Sequence, residues 1–232
     1  MKTKIFCDSA DYKVIKRLNN NSLVSGFTTN PSLMRQSGAK NYKNYSLKLL
    51  NICKTKPISL EVFADTPGEM LKQARIINSW GKNVYVKIPV VNSKGYFTGK
   101  IIETLSNKRI KLNITAVYTV NQVRKIVKRI NKKSKTIISI FSGRMSDVGK
   151  DPVPIIKKSV LLTKRLKNVK ILWASTREAY NFLQAKKCGC SIITMPSPII
   201  EKISKFGKSY DELTLDTVKK FLKDSKESNF KI

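Results

Sequence analysis

Eight short apolar runs alternate with amphipathic helical stretches along this chain, and that alternation constrains its fold more than any other feature. The runs are Ile5–Asp8, Ser25–Asn30, Ser59–Phe63, Val84–Val90, Lys111–Val117, Thr136–Phe141, Lys170–Ser175 and Cys190–Pro196. Between them lie stretches such as Pro67–Trp80, Val120–Asn131, Val153–Arg165 and Thr176–Lys187. Strand and helix alternating without a break argue for an all-parallel sheet. Eight βα units in one short chain argue for closure into a barrel, with a doubly wound open sheet as the alternative. The chain's 232 residues fit one such barrel, whose range starts near ~200 residues. Leu213 to Leu222 reads as a terminal helix. No linker or shift in composition divides the sequence. The expectation is an α/β chain with a single (β/α)8 TIM-barrel domain over residues 1–232 and a C-terminal helix.

A hydrophobic content of 41%, with two Trp, nine Phe and eight Tyr, fits a packed globular core. There is no histidine, which removes every Ser-His or Cys-His nucleophile and the commonest metal ligand. Acid-base work then falls to carboxylates, lysine or tyrosine. The net charge of +31 points first to nucleic acid. Against this, the lysines are dispersed through nearly every helical stretch. The densest run, Arg124 to Lys135, has helical spacing with Ile126, Val127 and Ile130 between the charges, as on the solvated face of an amphipathic helix. Nucleic acid is therefore not expected as the main partner, although a positive field draws in phosphorylated substrates. Cys7, Cys53, Cys188 and Cys190 read as small buried thiols, the last two too close for a usual disulfide or zinc pair. Asp8 and Asp11 interrupt the stretch Met1–Arg17, so no signal peptide is read there, and a cytoplasmic location is expected.

Within Val84–Val90, a run fit for burial on both faces, stands Lys87. Burying an ammonium is costly, and its cheapest escape is to lose the proton, which frees a nucleophilic amine. A desolvated lysine of this kind forms Schiff bases with carbonyl substrates. The alternatives are an edge strand with Lys87 in solvent, or a buried pair with a carboxylate. Side chains alternate faces along a strand. Glu61 alternates with Leu60 and Val62, Asn113 and Thr115 share a face against Leu112 and Ile114, and Ser139 and Phe141 share one against Ile138 and Ile140. Ser175 is read as inward beyond an outward Leu172 and Ala174. If the aliphatic set packs on the helices, Asp8, Asn30, Glu61, Lys87, Asn113, Thr115 and Ser139 point into the barrel near the strand C-termini, where barrel active sites lie.

These segments together resemble the transaldolase family, whose class also includes the fructose-6-phosphate aldolases. The resemblance is carried by Phe6-Cys7-Asp8-Ser9-Ala10, Thr28-Thr29-Asn30-Pro31-Ser32-Leu33, Glu61, Val86-Lys87-Ile88-Pro89, Asn113-Ile114-Thr115, Phe141-Ser142-Gly143-Arg144 and Ala174-Ser175-Thr176-Arg177. It implies a Schiff-base enzyme moving a dihydroxyacetone unit between sugar phosphates, with no metal and no organic cofactor. By the resemblance, Lys87 is the Schiff-base lysine and Asp8 the general acid and base. Glu61 and Thr115 hold the water that relays protons, and Thr28, Asn30, Asn113 and Ser139 contact substrate. Arg144, Ser175 and Arg177 form the phosphate site. Phe141 stands where the aldolase branch carries a tyrosine, and Glu61 where it tends to have glutamine, so a transferase is favoured over a simple aldolase; the alternative is that Phe141 merely fills the barrel. The resemblance also implies a homo-oligomer in which the C-terminal helix reaches a neighbour.

The segment from Phe141 to Pro152, which carries an extra glycine and charges beyond Arg144, departs from the family's pattern, as do a large Trp173 read on the same face as Ser175 and the Glu178 carboxylate beside Arg177. They leave open an acceptor pocket reshaped for another phosphosugar. Three readings stand: a transaldolase, a lysine-dependent aldolase or transferase of the same family acting on another sugar, and a basic nucleic-acid-binding barrel.

Overall fold

A computed structural model of the protein describes residues 3–231; the first two residues of the stretch Met1–Arg17 lie outside them. Eight parallel strands close in sequential order, with β8 pairing back to β1. They are β1 Lys4–Asp8, β2 Val24–Thr28, β3 Ile58–Glu61, β4 Val84–Pro89, β5 Leu112–Val117, β6 Thr136–Ile140, β7 Val169–Trp173 and β8 Ile192–Met195. The alternation in the sequence thus becomes a closed barrel and not an open doubly wound sheet. The helices around it are α1 Tyr12–Asn19, α2 Pro31–Gln36, α3 Tyr42–Ile52, α4 Pro67–Ser79, α5 Gly99–Asn107, α6 Val120–Val127, α7 Ser142–Ser146, α8 Val153–Thr163, α9 Asn181–Lys187 and α10 Ser197–Lys202. The compact unit holding the barrel ends at Ile200, and a second unit begins at Glu201.

Local chemistry sets the helix starts. The side chains of Asp11, Asn30, Asn41, Thr66 and Thr119 each accept a hydrogen bond from a backbone N–H in the first turn of α1, α2, α3, α4 and α6. Each cap satisfies a donor that the helix itself cannot, worth about 1 kcal/mol. The outward faces of the strands are aliphatic and fully buried, with Leu60, Val86, Ile88, Leu112, Ile114 and Ile138 at 0% exposure. Helices meet them with Ile15 and Leu18 from α1, Met70, Ala74 and Ile77 from α4, and Val123 and Ile126 from α6. Apart from Ala74, each such side chain contributes roughly 1.5–3 kcal/mol on burial.

The barrel interior is packed below its active-site end. Phe6, Ile137, Leu172, Ala174 and Ile192 form a buried cluster, with Tyr85 and Phe141 against it. Gly26 makes room for this layer, because a Cβ there would lie 2.7 Å from the Phe6 ring. Leu172 and Ala174 therefore face the interior, opposite to the sequence expectation that placed them against the helices. Ser175 lies in left-handed backbone, φ 63°, which breaks the strand alternation and lets it join the interior beside Ala174. Trp173 is buried but does not belong to that cluster.

The second unit contains a 3₁₀ turn, Ile203–Lys205, and α11, Tyr210–Glu227. A reciprocal capping box starts α11: Ser209 Oγ accepts from the Glu212 N–H at 3.2 Å, and the Ser209 N–H donates to Glu212 Oε2 at 2.7 Å. This cap explains why α11 begins before the apolar stretch Leu213–Leu222 from which a terminal helix was expected. Leu213, Leu215, Val218, Phe221 and Leu222 are all exposed along it.

Candidate active site

Register rather than sequence proximity assembles the centre of the site. Glu61 on β3 pairs with Lys87 on β4, and Lys87 pairs with Asn113 on β5. Adjacent strands lie about 4.8 Å apart, so three inward side chains in one row are in mutual reach. Lys87 is 6% exposed. Its Nζ lies 2.9 Å from Glu61 Oε2 and donates to the Thr29 carbonyl at 2.7 Å. Of the alternatives read for this lysine, the solvent-facing edge strand is ruled out, and burial and a carboxylate pair occur together. Glu61 is itself held by Tyr42 on α3. The Tyr42 hydroxyl donates to the Glu61 carbonyl and accepts from the Glu61 N–H, both at 2.9 Å. Burial pushes the Tyr42 phenol up, so it remains a neutral donor.

A second row carries the other carboxylate. Asp8 pairs with Thr28 across β1 and β2, and Thr28 Oγ1 donates to Asp8 Oδ1 at 2.6 Å. Thr28 has one hydroxyl proton, so its 2.5 Å contact with Thr194 Oγ1 is made by Thr194 donating. Burial raises the Asp8 carboxyl above its ordinary 3.8, and the charge of Glu61 adds to the rise; the Thr28 hydrogen bond and the charge of Lys87 oppose it. Desolvation is the largest of these effects, and it acts against the charged form. Asn113 is fully buried, donating from Nδ2 to Ser59 Oγ at 3.0 Å and accepting at Oδ1 from Ser139 Oγ at 2.6 Å. The Thr115 hydroxyl is buried with no hydrogen-bond partner among the described residues. A buried polar atom of that kind is the expected mark of a ligand or water position.

These groups line a cavity of about 80 Å³, whose walls include Asp8, Thr28, Asn30, Lys87, Asn113, Thr115, Ser139, Phe141, Arg144, Ser175 and Thr194. Asn30 caps α2 with Oδ1, accepting from the Leu33 N–H at 2.9 Å. Arg144 lies in α7 with its guanidinium 5.5 Å from the centre of the Phe141 ring, whose edge meets Tyr118 at 5.8 Å between centroids. Backbone brings α7 to the end of β7: the Gly143 N–H donates to the Ala174 carbonyl at 3.3 Å. A Cβ on Gly143 would sit 1.5 Å from the Ser175 carbonyl oxygen. Arg177 lies outside the cavity walls, where its Nε donates to Asp147 Oδ1 at 2.9 Å. The Arg177 hydrogen bond holds the Asp147 carboxyl below its ordinary value, and Asp147 in turn raises Arg177.

Of the sequence-predicted residues, all but Glu61 and Arg177 line this cavity, and Glu61 is tied to it through Lys87. Sequence reasoning missed Thr194, Ser59 and Tyr42. Thr194 was legible by the rule that found the others, since it stands between Ile193 and Met195 on a buried strand. Tyr42 carries no such signal, because its contact with Glu61 depends on where α3 crosses the end of β3.

Fold and site define a parallel eight-stranded barrel with a buried lysine between two carboxylates at the C-terminal ends of its strands. Residues 5–232 match the Transaldolase/Fructose-6-phosphate aldolase family, and the chain belongs to it. A "Probable transaldolase" of Herpetosiphon aurantiacus is 31% identical over 203 residues, 87% of each chain. One of Streptococcus equi subsp. zooepidemicus is 33% identical over 224 residues, 95% of this chain and 97% of the relative. A "Probable transaldolase 2" of Listeria monocytogenes is 34% identical over 225 residues, 95% of both. The flavin-binding domain of baker's yeast flavocytochrome b2 superposes with a TM-score of 0.56 at 13% identity, covering 84% of this chain and 57% of that one, and shares the fold alone. Family and relatives mark the chain as a transaldolase-type enzyme.

Proposed function

We propose that the protein is a Schiff-base transaldolase, moving a dihydroxyacetone unit from sedoheptulose 7-phosphate to glyceraldehyde 3-phosphate to give erythrose 4-phosphate and fructose 6-phosphate. The observation that carries this reading is the buried Lys87 Nζ, 2.9 Å from Glu61 Oε2 and facing the same cavity as Asp8. Glu61 takes a proton from the paired Lys87 ammonium, the neutral amine attacks the C2 carbonyl of the ketose phosphate, and the proton then released from its nitrogen passes through water to the new alkoxide to give the carbinolamine. The raised carboxyl of Asp8 then gives a proton to the carbinolamine hydroxyl, which leaves as water and creates an iminium. Asp8, now a carboxylate, removes the C4 hydroxyl proton as the C3–C4 bond breaks and its electrons pass into the iminium. The aldose phosphate departs, and a three-carbon enamine stays on Lys87 until an acceptor aldehyde arrives. The unpartnered Thr115 hydroxyl, together with Glu61, supplies a place for the relaying water. Asn30, Asn113 and Ser139 orient hydroxyls, and Arg144 with Ser175 receives the phosphate. Resident metal and organic cofactors have no part in this scheme.

Borohydride trapping with fructose 6-phosphate, followed by peptide mass spectrometry, tests it. A dihydroxyacetone-sized adduct on Lys87 with release of glyceraldehyde 3-phosphate is expected. A folded sample without any adduct, for this and the other donor sugar, removes the proposal. Transfer over simple aldol cleavage is supported by Phe141, which lines the cavity with no hydroxyl to hold a water beside the enamine. Phe141→Tyr should raise the release of free dihydroxyacetone, and an unchanged release would restore Phe141 to a filling role. The exposed apolar side chains of α11 support a homo-oligomer.

A further inference from the structure

The positive charge of the barrel unit is not evenly spread between its two ends. Seven loops lead from a helix into a strand, residues 20–23, 53–57, 80–83, 108–111, 128–135, 164–168 and 188–191, and none contains an aspartate or glutamate. Five of the seven carry lysine or arginine, and the longest reads Lys-Arg-Ile-Asn-Lys-Lys-Ser-Lys. Carboxylates gather at the opposite mouth instead, where Asp8, Asp11, Glu61, Asp65, Asp147 and Asp151 stand at strand ends or in the loops that follow. Dispersion along the sequence thus conceals a segregation that only the barrel's topology reveals.

Four depressions adjoin one another across this N-terminal face through shared wall residues. One of about 280 Å³ lies in the mouth itself, walled by Lys4, Phe6, Tyr85, Lys170 and Ile192 among others. At Lys170 and Ser191 it meets a depression of about 330 Å³ that bears Lys164 and Lys167. It also shares Pro57 and Tyr85 with one of about 320 Å³ that bears Lys54, Lys82 and Lys111. Lys82 and Lys111 in turn border a fourth, of about 540 Å³, which includes Arg109. Tyr85 stands where two of these meet, half-buried, with Lys111 Nζ 6.0 Å from its ring centre. Like charges crowd there: burial and the neighbouring Lys135 push Lys111 below its ordinary value.

A row of adjoining cationic depressions with a recessed aromatic fits a linear polyanion better than a flat lipid surface, which asks for protruding apolar side chains. We propose that this groove binds single-stranded nucleic acid without regard to sequence, its phosphates against the lysines and a base against Tyr85. Neutralising several phosphates releases counterions, which supplies the affinity, and the aromatic face accepts any base. The site lies at the mouth opposite the sugar-phosphate cavity and stands whether or not the transaldolase reading does.

Fluorescence anisotropy with a labelled twelve-nucleotide oligothymidylate, titrated at several salt concentrations without sugar phosphate, tests the proposal. Replacing Lys82, Lys111 and Lys170 together by Glu should weaken binding roughly tenfold or more and flatten the log–log salt slope by about 2, some 0.7 for each lost phosphate contact. The same charge change on the exposed helical lysines Lys13, Lys100 and Lys158 should weaken it by no more than about threefold, because those side chains lie outside the groove. Tyr85→Leu keeps apolar volume and should weaken oligothymidylate by about fivefold or more, while binding of inorganic polyphosphate stays unchanged. Circular dichroism establishes that each variant folds, and Gln at the three groove positions replaces Glu if the reversed variant does not. Equal weakening by both lysine sets would show diffuse attraction and overturn the groove. So would absence of binding, or binding to phosphatidylserine vesicles with none to the oligonucleotide.

Discussion

Two carboxylates flank one buried amine, and their surroundings set them apart. Glu61 is ion-paired with Lys87, whereas Asp8 is raised above 3.8, chiefly by burial. The folded chain therefore binds the Asp8 proton more tightly than the unfolded chain does. Ionising Asp8 costs stability as pH rises through its folded value, and below about 3.8 that cost is absent. Asp8→Asn cannot ionise and keeps an acceptor for Thr28, so its melting temperature should exceed that of the wild type at pH 7 and converge with it toward pH 3. Turnover should fall by roughly 10²–10⁴, the range for a lost acid-base group. Thermal melts across that range together with steady-state rates check both halves; a variant less stable at pH 7 would mean that Asp8 is net stabilising. The two arginines differ at the same scale. Arg144 lines the cavity, but Arg177 is engaged by Asp147. Arg144→Ala should raise KM for phosphorylated donors by about 10–150-fold, the worth of hydrogen bonds to a charged group. Arg177→Ala should raise it far less. Equal effects would show that Arg177 leaves Asp147 when phosphate binds.

Strand and helix order was legible because period-2 and period-3.6 patterns are written by burial, and burial is what the elements share. The inward set Asn113, Thr115, Ser139 and Phe141 followed from that period on β5 and β6. It failed on β7, where Ser175 turns left-handed at φ 63° and Leu172 and Ala174 face inward. Neither that reversal nor the left-handed Ala116 at the irregularity in β5, φ 58°, has a residue signature, since neither position is glycine. Tertiary packing imposes them. The nearby Gly143 does carry a signature, although its reason is not conformational freedom but the approach of α7 to the β7 end. Gly143→Ala places a methyl 1.5 Å from a backbone oxygen, which no side-chain rotation relieves. It should destabilise the barrel by about 3 kcal/mol or more, the range of overpacked or strained sites. It should also displace Arg144, so that KM for phosphorylated sugars rises even in the fraction that folds. Chemical denaturation and kinetics on the same preparation check this, and a stability loss under 1 kcal/mol would mean that α7 moves freely.

At the scale of the whole chain, a charge of +31 opposes any association between copies, while the apolar side chains of α11 favour it. Leu215, Val218, Phe221 and Leu222 recur at three- and four-residue spacing on an 18-residue helix, and all four are exposed. Covering that face stabilises by roughly 25 cal/mol for each Å² removed from water, a term nearly indifferent to salt. Repulsion is not indifferent: the screening length is about 30 Å at 0.01 M salt and about 8 Å at 0.15 M. The two dependences predict an assembly whose mass grows with salt, opposite to one held by ion pairs. Light scattering at those two concentrations should show a small species at the lower and a larger one at the higher. Phe221→Glu with Leu222→Glu should keep the small species at both, because it removes the apolar term while reducing the net charge by two. That last feature makes the experiment decisive, for if repulsion alone limited assembly the double variant would associate more readily than the wild type.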